Sequence, residues 1–148
     1  FEAATQLGAV ISEQPSEYVQ AMVVYGIHLG TAFQLIDDVL DYSATSEEIG
    51  KNIGDDLAEG KPTLPLIYAL KHGNSAQQQI LREAITQGGQ KFTEDVIATI
   101  KSTDAIGYTI QVAQKEANIA QQALIGLPAS PYYDALHALA NYAIIRTY

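Results

Sequence analysis

The chain has 148 residues, with 17 acids against 8 lysines and arginines, a formal net charge of −9 and a pI near 4.5. At 47% hydrophobic residues it can bury roughly 70% of its unfolded surface in a core, and the lack of a basic stripe excludes a nucleic-acid interface built on phosphate neutralisation. Cysteine is absent, which removes disulfide and thiolate chemistry and fits a reducing, cytoplasmic setting; the apolar runs are short and broken, so no membrane span and no signal peptide are predicted.

Ala, Leu, Ile and Gln are abundant and strand-type alternation is rare, so the predicted class is all-α. Residues 1–13, with Phe1, Ala4, Leu7, Val10 and Ile11 on one stripe, read as an amphipathic helix that stops near Pro15. Ser16 then caps a long helix from Glu17 to about Tyr42, roughly 39 Å in length. Tyr18, Met22, Tyr25, Leu29, Phe33, Ile36 and Leu40 recur along it at helical spacing. Gly26 and Gly30 cost helix propensity and point to close packing ahead of the alternative, a wall along a ligand cavity. Residues 43–61 read as a loop whose only bases are Lys51 and Lys61.

Thr63 caps the next helix, with Pro65 in its first turn, to about His72, where Gly73 and Asn74 end it; Ser75 opens a glutamine-rich helix to about Gln87, broken by Gly88 and Gly89. A short helix over 93–101 follows, then one capped by Thr103 or Asp104 that runs to about Ile125. Pro128 stops it, and Ser130 with Pro131 starts the last helix, 131–146. His28 and His137 lack a paired acid or second histidine at ligand spacing, so satisfied core or surface positions are expected, and His72 suits a helix's last turn and is not expected to act in catalysis. The chain starts at Phe1, keeps its only methionine at Met22 and stops abruptly at Tyr148, so a piece of a longer protein is expected.

Chemistry concentrates at the end of the long helix. Asp37 and Asp41 stand one turn apart on one face with Asp38 beside them. Such carboxylates repel one another, and a helix C-terminus is a poor place for them. The arrangement asks for cations, and hard carboxylate oxygens suit magnesium, completed by waters and phosphate oxygens. The glycine-interrupted segment Gly50 to Lys61 adds two lysines that could cradle a diphosphate; the plainer alternative is a solvated loop whose lysines offset the acids.

The run Phe33-Gln34-Leu35-Ile36-Asp37-Asp38-Val39-Leu40-Asp41, followed by Gly50-Lys51-Asn52-Ile53-Gly54-Asp55-Asp56-Leu57-Ala58-Glu59-Gly60-Lys61-Pro62-Thr63-Leu64-Pro65, resembles the second aspartate-rich motif and lysine segment of the all-trans polyprenyl diphosphate synthases. Among these it looks most like the bacterial long-chain enzymes of the octaprenyl type, and a pattern this long is specific. The resemblance implies an isoprenoid-synthase-type helical bundle, of which residues 1–148 form a single helical region, the C-terminal half of a larger domain. It implies an enzyme, active as a cytoplasmic homodimer, that extends an allylic diphosphate with isopentenyl diphosphate to a long-chain polyprenyl diphosphate, a quinone side-chain precursor. In that reading Asp37, Asp38 and Asp41 hold Mg2+, Phe33 and Gln34 face substrate, Lys51 and Lys61 grip diphosphate oxygens, and Asp56 orients Lys61 or a metal-bound water. Asp37, Asp38, Lys51 and Lys61 would be the catalytic set. The family pattern has one acid where Asp55 and Asp56 stand, and the first aspartate-rich motif is not among these residues, so this chain alone is expected to be inactive. The alternatives are a noncatalytic helical subunit of a prenyl synthase heteromer and a class I terpene cyclase.

Overall fold

The computed structural model describes residues 1–43, 55–87 and 89–146, and among them only helices, turns and bends occur. The helices are α1 (Glu2–Ile11), α2 (Ser16–Ser43), α3 (Asp55–Ala58), α4 (Leu64–His72), α5 (Ser75–Gln87), α6 (Thr93–Ser102), α7 (Ala105–Ala123) and α8 (Pro131–Ile145), with a 3-10 turn over Gly89–Phe92. The all-α expectation holds.

Local chemistry sets the boundaries. Asn74 reads in sequence as the end of α4 but works as the N-cap of α5: its Oδ1 accepts from the Gln77 N–H at 3.0 Å while Gln77 Oε1 accepts from the Asn74 N–H at 2.8 Å. This reciprocal pair satisfies two N–H groups that a helix start would otherwise leave unpaired. Ser130 caps α8 as expected, accepting from the Tyr133 N–H at 3.1 Å, with Pro131 in the first turn where a missing N–H costs nothing. The stretch expected to be loop up to Lys61 contains α3.

The chain divides into two compact units, Phe1–Ile36 with Val112–Thr147, and Asp37–Gln111. In the first, Tyr25, Leu29, Ala120, Leu124, Ala140 and Ala143 form the core, and the Tyr25 hydroxyl donates to the Leu136 carbonyl at 2.8 Å. The two α2 glycines mark close packing, as the sequence implied. A Cβ at Gly26 would overlap the Thr5 hydroxyl and stand 2.8 Å from Glu2 Cα, and one at Gly30 would stand 3.0 Å from Phe1 Cβ. The Thr5 hydroxyl uses that closeness to donate to the Met22 carbonyl at 2.7 Å. His28 is a satisfied histidine: its Nδ1 lies 2.6 Å from Glu116 Oε2, an acid 88 residues away that helical spacing could not reveal.

In the second unit Tyr42, Leu57, Leu66, Ala69, Leu81, Ala84, Val96, Ile100 and Ala105 form the core. Tyr68 stacks on His72 and on Tyr108, both with ring centroids 4.1 Å apart, which confirms His72 as a packed helix-end residue. Helix α2 bears on the expectation of no membrane span. By length and composition it is apolar enough to cross a bilayer, with mean hydropathy 1.4 over its best 18-residue window, although no long unbroken apolar run occurs in it. Its inward residues Tyr25 and Leu29 are spent on the protein core.

Candidate functional site

The candidate site lies in the second unit, on the last turns of α2 and on the segment from α3 to α4. Asp38 is buried, at 7% exposure, while Asp37 and Asp41 are half-buried. Asp41 Oδ2 accepts from the backbone N–H of Asp56 at 3.3 Å, so a carboxylate of the aspartate-rich helix serves an N–H in the first turn of α3 that the helix itself leaves unpaired. Asp56 then turns its side chain to the ammonium of Lys61, with Oδ1 to Nζ 3.0 Å.

The backbone between them explains the return. Gly60 takes φ of +69°; its N–H donates to the Leu57 carbonyl at 3.0 Å and the Lys61 N–H to the Asp56 carbonyl at 2.8 Å. These two bonds are the Schellman closure of a helix, and the left-handed residue it requires is cheap only for glycine. The turn brings Lys61 back over Asp56. That hydrogen bond raises the Lys61 pKa above its ordinary value; desolvation opposes the rise, and the charges of Asp56, Asp38 and Glu59 add to it.

Tyr42 and Thr63 lie in the same unit and were read in sequence only as a helix end and a cap. Both are buried, at 4% and 5% exposure, and neither hydroxyl completes a hydrogen bond. Burial pushes the Tyr42 phenol up to about 12; the nearby Thr63 hydroxyl opposes the rise, and the charges of Asp41, Asp56 and Asp38 add to it. The two oxygens are therefore close enough to feel one another without hydrogen-bond geometry. A buried unpaired hydroxyl costs about 1–3 kcal/mol.

Other sequence-predicted residues fall elsewhere. Lys51, with Gly50 and Gly54, lies outside the described residues. Phe33 and Gln34 belong to the first unit. There the Phe33 ring is engaged by Phe1 at 5.2 Å between centroids and by the guanidinium of buried Arg146, 3.6 Å from the ring centroid. Arg146 Nη2 also donates to the Phe33 carbonyl at 3.0 Å. Sequence reasoning passed over Arg146; its one signal was an arginine directly after the apolar run of α8.

Among the described residues no three His, Asp or Glu side chains stand together as a ready-made metal cage. The donor set nevertheless fits magnesium: it offers carboxylate oxygens only, one of them on a buried residue, and magnesium takes one or two carboxylates while keeping waters and phosphate oxygens for its remaining positions.

The family model described as polyprenyl synthetase matches residues 1–102. The octaprenyl diphosphate synthase of Haemophilus influenzae is 46% identical over 149 residues, covering 100% of this chain and 45% of that protein. Component 2 of the heptaprenyl diphosphate synthase of Bacillus subtilis is 38% identical over 137 residues, covering 93% of this chain and 39% of that protein. Among solved structures, the polyprenyl synthase of Caulobacter crescentus, complexed with calcium and isoprenyl diphosphate, superposes with a TM-score of 0.90 at 36% identity over 99% of this chain and 45% of that one. The chain thus spans about half the length of the relatives it matches.

Proposed function

Since this chain belongs to the polyprenyl synthetase family, we propose that the protein carrying it elongates an allylic diphosphate with isopentenyl diphosphate to a long-chain polyprenyl diphosphate. One observation carries the reading. Asp41, Asp56 and Lys61 are linked in a chain of contacts beside Asp37 and Asp38, which sets hard oxygen donors next to a cation that can take an anion. Asp37, Asp38 and Asp41 would hold magnesium, which supplies the positive charge that lets a diphosphate leave an allylic carbon. Lys61, at half exposure, can swing from Asp56 to a diphosphate oxygen, and Lys51 would join it. Asp56 keeps Lys61 charged and aimed, while Phe33 and Gln34 would sit on the substrate side. Magnesium is favoured over calcium for the working enzyme because so few carboxylates are offered.

The enzyme would act in the cytoplasm as a homodimer, a reading supported by the exposed small and apolar residues of α1, where a Cβ at Gly8 would meet nothing within 4 Å. A heteromer is the second reading, favoured by the likeness to a protein named as one component of a synthase. Size measurement of the purified natural protein, alone and with any co-purifying homologous chain, separates the two.

Turnover of labelled isopentenyl diphosphate into sized products tests the activity. The full natural protein should lose it on chelation and regain it with magnesium, and Asp37→Asn should lower it at least about a hundredfold. Retention of full turnover after chelation, or cyclised products of unchanged carbon number, would defeat the proposal. A polypeptide of these 148 residues alone is expected to show none.

A further inference from the structure

We infer that Tyr42 and Thr63 are positioning residues for a metal-bound diphosphate, tying the acid-bearing end of α2 to the Lys61 segment through a hydroxyl-to-hydroxyl bond that forms when Lys61 leaves Asp56. The inference rests on the diphosphate reading above and goes beyond it by assigning work to two groups that touch neither substrate nor metal.

Two ties join the same pair of segments. One is made: Asp41 to the Asp56 N–H, and Asp56 to Lys61. The other is not, although Tyr42 directly follows Asp41 in sequence and Thr63 stands two residues after Lys61. A diphosphate that takes the Lys61 ammonium away from Asp56 undoes the Asp56 to Lys61 half of the first tie, leaving the Asp41 bond to the Asp56 N–H, and the second tie is then in place to hold the Lys61 segment.

The hydroxyls suit this use and little else. Packing alone would be served as well by phenylalanine and valine, which bring no buried oxygen to satisfy. Thr63 occupies the N-cap of α4, where its oxygen would ordinarily accept from the second or third N–H of the helix. The second helical residue is Pro65, which has no N–H, and Thr63 makes no cap bond; its oxygen is left to Tyr42. Both oxygens are buried without a hydrogen-bond partner, so the Tyr42 hydroxyl is available to donate and Thr63 Oγ1 to accept.

The test uses the full natural protein and its Tyr42→Phe, Thr63→Val and Thr63→Ser variants and the double variant Tyr42→Phe with Thr63→Val. Calorimetric titration measures magnesium with inorganic diphosphate, and melting is followed without ligand. Tyr42→Phe and Thr63→Val should melt at or above the wild-type temperature yet bind magnesium diphosphate about three- to tenfold more weakly. The double variant should lose no more than either single one, and Thr63→Ser should return binding to within about twofold of wild type. Unchanged binding in the variants, additive losses, or a loss that simply follows a lowered melting temperature would overturn the inference while leaving the diphosphate site intact. A wild-type protein that binds no magnesium diphosphate removes the site reading, and the inference falls with it.

Discussion

Lys61, Tyr25 and Tyr42 all titrate above their ordinary values, for opposite reasons. Asp56 favours the charged form of Lys61, whereas burial disfavours the charged form of the two phenols, each pushed up to about 12. Lys61 is half exposed and its pairing is screened by solvent, so it contributes little to stability. The phenols matter more. A group whose pKa rises on folding contributes stability that is whole below its unfolded value, here 10, and is lost as pH climbs through its folded value. Chemical denaturation at a series of alkaline pH values should therefore show a constant midpoint up to about pH 10 and a steady fall towards 12, with tyrosinate absorbance rising only as the chain unfolds. Replacing Tyr25 by Phe should cost about 1 kcal/mol through the lost bond to the Leu136 carbonyl. At this scale the sequence was legible where partners are near neighbours: Asp37, Asp38 and Asp41 share one helix end, whereas the link of Asp56 to Lys61 or to a metal-bound water came only from the family resemblance. The pairing of His28 with Glu116 and the seating of Arg146 on Phe33 span 88 and 113 residues, and no local pattern encodes them.

Two glycines do the shaping among the elements. At Gly26 the helices α1 and α2 approach so closely that any side chain must displace the Thr5 hydroxyl or the Glu2 backbone. Gly26→Ala should destabilise by about 1–3 kcal/mol, read as a fall in melting temperature. An unchanged melting temperature would show that α1 is free to shift. Gly60→Ala strains a left-handed position and should cost about 1 kcal/mol, and it should also weaken diphosphate binding by misdirecting Lys61. Most helix limits were legible because their signals are chemical: Ser130 with Pro131, Thr63 with Pro65, and Gly88 after Gln87. Two were misread for a physical reason. Asn74 follows Gly73 and reads as a terminator, yet its side chain serves the helix ahead of it, and α3 is too short for hydrophobic periodicity to register.

For the whole molecule, the all-α class followed from composition and period, but the division into two units did not, because it depends on which distant helices share a core. The first unit is discontinuous: its two stretches are separated by the entire second unit. On a ribosome this fixes an order of events. During synthesis the core face of α2 has to wait for α7 and α8 to supply Ala120, Leu124, Ala140 and Ala143. Until they emerge, that face of a helix of near-membrane hydropathy lacks these partners and is open to chaperones. Limited proteolysis of ribosome-arrested chains should therefore cut within residues 16–36 more readily when they stop before Pro131 than when they include α8. Codon usage in the α7 to α8 region is then one control on yield that the strength of the finished core does not reveal.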